Sequence, residues 1–220
     1  MTILIEAAVA SLEAALAAAE GGAHRIELCA DLAHGGTTPD VQLLRACRSQ
    51  LAIPIVVLVR PRAGDFVYTA PEHQIMIDQI HRAKDAGARG IVTGALTAAR
   101  RIAEDRTAEL LHAALPLPLT FHRAFDVCLD LAVALERLIY LGVDRLLTSG
   151  GATTAAEGTD QLQALVAQAK GRIVILPGGG INPETVARLV QETGVGEVHF
   201  SVRQAEKVRG VVRALSRPPD

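Results

Sequence analysis

The chain has 220 residues with 24 acidic against 22 basic side chains, a formal net charge of -2, so no surplus of positive charge draws it to nucleic acid or an anionic membrane. An aromatic content of 3%, without Trp, leaves few platforms on which bases could stack. Half of the residues are hydrophobic, enough for one domain of this length to bury about 70% of the surface its unfolded chain exposes.

The first segment, MTILIEAAV, enters an apolar β-branched run with no basic stretch ahead of it, which is not the pattern of a secretory leader. That run, 3–9, is the first of eight predicted strands; the others cover 25–29, 55–60, 90–96, 119–123, 145–149, 172–177 and 197–202. An Ala- and Leu-rich stretch of helical period follows each one. Thr38-Pro39 and Asn182-Pro183 read as an N-cap with Pro in the first helical position. GGAHRIEL, AGARGIVT, LGVDRLLT and TGVGEVHF share one grammar: a helix end, a Gly suited to the left-handed conformation, a short turn and an even-numbered strand. Ile53-Pro54 and Leu117-Pro118 introduce two of the odd strands. With no Pro/Ser-rich linker, eight βα units form a single α/β domain over 1–220, a (β/α)8 TIM barrel; a doubly wound open sheet is the other arrangement that such alternation allows. Cys29, Cys47 and Cys128 are too few, and wrongly spaced, for a disulfide framework, and point to a reducing, cytoplasmic setting. No charge-free apolar stretch is long enough to span a bilayer.

Residue parity gives direction. In a barrel the outward side chains of each strand meet helices and are apolar, while the inward ones fill the lumen or reach its mouth. Ile3 and Ile5 therefore face out, and Leu4, Glu6 and Ala8 face in. Ile26 and Leu28 face out, with Glu27 and Cys29 inward. Arg60 ends the third strand on the parity of Val56 and Leu58. Thr120 and His122 point in from the fifth strand, Glu197, His199 and Ser201 from the eighth, and Thr148 or Ser149 ends the sixth. Glu6, Glu27, Arg60, His122 and His199 thus converge on the carboxyl ends of the strands, where barrel enzymes place their chemistry. Two buried carboxylates need cationic partners, for which Arg60, Arg62 and Arg123 are the nearby candidates. If they are partly neutralised, one titrates high, as an acid or base must. The same residues also read as an ion-pair network plugging the barrel end.

Two loops add to the set. Gly178, Gly179 and Gly180 follow the seventh strand and open a helix, a place where backbone N–H groups can approach an anion, although a tight turn asks for the same glycines. RPRAGDFVY at 60–68 brings Arg60, Arg62 and Asp65 to the loop after strand three, either as a solvated surface or as part of a site. Cys47 and Cys128 read as packing thiols; His24, His34, His73, His81 and His112 fall on turns or helix surfaces without metal-ligand spacing. No lysine stands at a predicted strand end, so Schiff-base chemistry is not expected.

The segments HRIELCADLAHGGTTP, VRPRAGDFVY, LTFHRAFD, RLLTSGG, ILPGGGIN and EVHFS occur in the order in which the CutC family, associated with copper homeostasis, carries them. The chain resembles that family over nearly its whole length. The resemblance implies a TIM barrel, a cytoplasmic homodimer and a copper role. By position it puts the family's recurrent polar residues on Glu6, Glu27, Arg60, Arg62, Asp65, His122, Arg123, Asp126, Thr148, Ser149 and His199. Two departures stand out. Ala8 occupies the place of a family cysteine that would point inward beside Cys29, so Cys29 and His199 remain as the ligands for Cu+, a soft ion that favours thiolates. After strand eight, where relatives carry a long segment, Ser201-Val202-Arg203 leads straight to Gln204, leaving one side of the cavity mouth less covered.

Three functions are compatible with these residues. Copper handling, with the copper ion bound in the cavity, is the function that the resemblance favours, and the next is its rival. Another is an enzyme of lyase, isomerase or aldolase type on a small phosphorylated or carboxylated metabolite; Glu6, Glu27, His122 and Asp126 would supply acid and base, and Arg60, Arg62, Asp65, Arg123, Thr148, Ser149 and the glycine loop would hold the anion. A third is a non-catalytic dimeric scaffold.

Overall fold

The computed structural model describes residues 2–202 and 204–216. Eight strands alternate with eight helices: β1 (Leu4–Val9), α1 (Leu12–Glu20), β2 (Arg25–Leu28), α2 (Val41–Gln50), β3 (Ile55–Leu58), α3 (Ala70–Asp85), β4 (Gly90–Thr93), α4 (Glu104–Ala114), β5 (Leu119–Phe121), α5 (Leu131–Leu141), β6 (Arg145–Thr148), α6 (Thr159–Ala169), β7 (Val174–Pro177), α7 (Val186–Thr193), β8 (Glu197–Ser201) and α8 (Ala205–Ser216). All pairings are parallel in the order β7-β6-β5-β4-β3-β2-β1-β8, and a parallel bridge between Gly178 and His199 joins the two ends. This closure makes the (β/α)8 TIM barrel and removes the open sheet from consideration. No helix of the described residues is long and apolar enough to cross a membrane.

The parity reading holds as two separate cores. Ile5, Ala7, Val9, Ile26, Leu28, Ile55, Val57, Ile91, Phe121 and Val198 belong to the sleeve between strands and helices, whereas Ala8, Cys29, Val56, Leu58 and Val92 form a smaller apolar cluster inside the lumen. The four glycines of the repeated turn, Gly22, Gly87, Gly142 and Gly194, all have positive φ, between 70° and 100°. There the absent Cβ lets the chain reverse out of a helix and enter the next strand at little steric cost.

The helix starts differ in detail from expectation. Asp40, not Thr38, caps α2 by accepting from Gln42 N, while the Thr38 hydroxyl donates to Gln79 and accepts from Arg60 N. Asn182 does accept from the N–H groups of Glu184 and Thr185, but regular helix begins only at Val186. The glycine loop is therefore separated from α7, and the N–H groups nearest to it are already taken by Asn182. Arg203, in the short segment after β8, lies outside the described residues.

Candidate functional site

The carboxyl ends of the strands enclose a cavity of about 630 Å³. Of the residues expected there, Glu27, Cys29, Arg60, His122, Arg123, Asp126, Gly179, Gly180 and His199 line it. Glu6 does not, because the β1–β2 register sets Glu6 level with Arg25 and Ala8 level with Glu27, one layer nearer the mouth.

At the floor, His199 Nδ1 lies 2.8 Å from Glu6 Oε1 and 3.3 Å from Glu27 Oε2. Beneath them Arg25 bonds Glu6 through Nε and Glu197 through its NH2, and Arg145 holds Glu197 by two bonds of 2.7 and 3.0 Å. The partners expected for the carboxylates were Arg60, Arg62 and Arg123; the structure supplies Arg25 and His199 instead. This network assigns different charges to similar groups. Burial alone would raise the Glu6 carboxyl, but the His199 hydrogen bond and charge, together with Arg25, hold it well below its ordinary value. Burial drives the Glu27 carboxyl up to about 7 against the pull of His199, and the neighbouring Glu6 charge adds to the rise. Burial also works against the His199 imidazolium, yet the Glu27 and Glu6 carboxylates keep its pKa above the ordinary one.

The wall on the β3–β5 side carries Arg60 and His122. Arg60 spends its NH1 and NH2 groups on the carbonyls of Gly36, His34 and Gly64, and its guanidinium lies 4.9 Å from the Phe66 ring centroid. His122 was expected to act as acid or base. Burial and the Arg60 charge push its pKa down to about 3, so the ring is neutral near pH 7. Its Nδ1 accepts from Ala124 N, which leaves the proton on Nε2 and makes His122 a donor of hydrogen bonds. Asp126 is similarly committed: it accepts from Arg123 Nε, Thr148 Oγ1, Ser149 N and Oγ, and Gly151 N. It orders the β5 and β6 loops.

Several expected residues stand behind the cavity. Thr148 and Ser149 are fully buried and hold Asp126 and Arg123 from the rear. Gly178 meets Leu147 and His199, lining nothing itself. Arg62 turns to Glu72 and Asp65 and stacks on Tyr68, tying the β3–α3 loop together away from the ligand space. Arg25, Phe66 and Lys207 were missed. Parity from Glu27 places Arg25 inward and could have found it, whereas no local signal brings Lys207 from α8 to the mouth.

Among the described residues, Glu6, Glu27 and His199 offer metal-ligand atoms within 4.8 Å of one another; Cys29 is outside that group. Two carboxylates and an imidazole, with a guanidinium already bound to one of them, make a hard-to-borderline set rather than the soft one Cu+ prefers. Burial and the adjacent Glu27 charge raise the Cys29 pKa well above its ordinary value, keeping it a thiol and not a thiolate. The residues present do not fit a resident Cu+ centre.

The family model for CutC matches residues 3–204. The chain belongs to the CutC family. A human protein named copper homeostasis protein cutC homolog is 46% identical over 200 residues, covering 91% of this chain and 73% of its own length. A Bacteroides thetaiotaomicron family protein CutC is 46% identical over 198 residues, or 90% and 80% of the two chains. The crystal structure of CutC from Streptococcus agalactiae superposes with a TM-score of 0.86 at 35% identity, covering 90% of this chain and 98% of that one. An aldolase, QR15, shares the fold at a TM-score of 0.69 and 15% identity, covering 95% and 90%.

Proposed function

We propose that this CutC barrel is an acid–base enzyme for a small anionic metabolite, of lyase, isomerase or aldolase type, with Glu27 and His199 sharing the working proton. Glu27 carries the reading. It is a buried carboxyl lining a ligand-sized cavity, with a pKa of about 7 imposed by burial and Glu6, the value at which a group both gives and takes a proton near neutral pH. Glu6, fixed as an anion by Arg25, accepts the His199 Nδ1 proton and sets the ring's orientation. His122 Nε2–H is suited to polarising a substrate oxygen, while Arg60 and Arg123 supply positive charge to hold the anion. The test is a panel of phosphorylated and carboxylated metabolites read by thermal shift, followed by NMR detection of substrate C–H exchange with D2O. Glu27→Gln should keep ligand binding and slow exchange by about 10²-fold or more. No stabilisation by any anion at millimolar concentration sinks the proposal.

Copper homeostasis is the second reading, favoured by the names of the human and mouse relatives. Copper would then be a transient cargo near Cys29 and His199. Titration with Cu+ against a competing chelator decides it: an affinity no tighter than that of Cys29→Ser removes the role. A cytoplasmic location and a homodimer belong to the same proposal, the first supported by three cysteines free of disulfides and the second by the family resemblance.

A further inference from the structure

The mouth of the cavity on the β7–β8 side gathers two cationic side chains and backbone N–H groups that, among the described residues, lack an acceptor. Gly178 bridges His199 in parallel, and just beyond it Gly179, Gly180 and Ser201 line the same cavity. The Ser201 carbonyl holds the Lys207 ammonium at 2.9 Å, and the Phe200 ring lies 5.3 Å from it. Lys207 lines the cavity, and among the described residues it has no carboxylate within ion-pair distance. Burial lowers its pKa, the behaviour of a cation with no anion beside it.

On the other flank, Arg123 uses Nε on Asp126 and NH2 on Ser149 and Ala152, leaving NH1 without a described acceptor. That NH1 packs on Gly179, where an added Cβ would come within 3.0 Å of it. Gly179 has a φ of +105° and Gly180 of +70°, and among the described residues neither N–H finds an acceptor. The glycines thus serve two ends: they permit the left-handed turn, and they let a guanidinium lie against bare backbone.

We infer that Lys207, Arg123 NH1 and the Gly179 and Gly180 N–H groups form a subsite for the phosphate of a small phosphate monoester. The inference deepens the anionic-metabolite reading and depends on it. Donor number makes the choice of ligand. A planar carboxylate presents two oxygens, whereas four separate groups, two of them cationic, match the three terminal oxygens of a tetrahedral phosphate. Lys207 is the third residue of α8 and reaches Ser201, the last residue of β8.

The experiment follows the Gly179 and Gly180 amide resonances of the full chain while inorganic phosphate, glycerol 3-phosphate or acetate is added. Both phosphates should move these resonances, and acetate should do so about tenfold more weakly. Lys207→Met should weaken phosphate binding by about tenfold and Lys207→Arg should restore most of it, whereas Lys170→Met, on the far end of α6, should change nothing. Gly179→Ala, which drives a methyl group at Arg123, should also lose phosphate. If acetate perturbs His122 and Glu27 while phosphate leaves 179–180 unmoved, or if Lys207→Met binds phosphate as the wild type does, the phosphate subsite is wrong and the anionic-metabolite reading survives. If no anion perturbs any part of the cavity, both fall together.

Discussion

The His199 ring donates from Nδ1 to Glu6 at 2.8 Å and lies 3.3 Å from Glu27, so one imidazole bridges two carboxylates held on neighbouring strands. Glu6 stays charged because Arg25 grips its other oxygen. Glu27 has no such partner and faces the cavity. Both Glu27 and His199 therefore keep their protons to higher pH than the free groups do.

Thermal stability should therefore fall as pH rises through neutrality. Glu27 has a folded pKa of about 7 against an ordinary 4.5, so its contribution is complete below about pH 4.5 and disappears as pH approaches 7. His199, also raised, contributes fully below its ordinary 6.5 and loses that contribution as pH climbs through its folded value. Glu6 has the opposite sign, its contribution being present above 4.5 and lost only in acid. Melting temperatures from pH 5.5 to 8 should decline in the wild type and decline less in Glu27→Gln, which cannot ionise; equal slopes would contradict the assignment.

Arg25→Met should be among the costlier single substitutions, at about 3–5 kcal/mol, because it strands a buried Glu6 without its cation. Adding Glu6→Gln should recover part of the loss, since the two groups act as one unit. Urea midpoints of the two single variants and the double variant measure the coupling; strict additivity would show that the pair does not interact.

Gly94→Ala probes the His122 wall. An added Cβ would sit 2.8 Å from His122 Nδ1 and 3.0 Å from Phe121, a clash worth about 1–3 kcal/mol if the rings shift to relieve it. Gly196→Ala, with open space around the position, should stay within about 0.5 kcal/mol of wild type. Denaturation curves for the two, with the His122 ring resonances as a local reporter, separate overpacking from a general effect of adding a methyl group.

Asp126→Asn should cost about 2–3 kcal/mol and disorder Arg123. The carboxylate accepts from one guanidinium, two hydroxyls and two backbone N–H groups, and an amide presents a donor where only acceptors serve. A phosphate affinity that survives this variant unchanged would show that Arg123 needs no fixing by Asp126.

Much of this fold is readable along the chain because its signals are local. Alternation of apolar and polar residues sorted Ile5 from Glu6 and Phe121 from His122 without any knowledge of partners, and four glycines at helix ends announced four turns. Strand pairing stops two or three residues short of the expected ends, at 58, 93 and 121, and after β5 the chain turns at Arg123 into a short 3-10 helix, Arg123–Val127. Roles within the site were less legible. His122 and His199 look alike in sequence, yet burial and Arg60 push the pKa of one down while two carboxylates hold that of the other above its ordinary value.

The sequence by itself determined that eight βα units close into a barrel with Glu27, Arg60, His122 and His199 facing inward, since a period of two residues records which face of a strand each side chain takes. Only the tertiary structure decided who meets whom. Register is a property of barrel closure, not of any one strand, and closure staggers neighbouring strands. That stagger set Glu6 beside Arg25 and below the cavity and raised Glu27 to its floor, while the packing of the last helix brought Lys207 to the cavity that Gly179 and Gly180 also line.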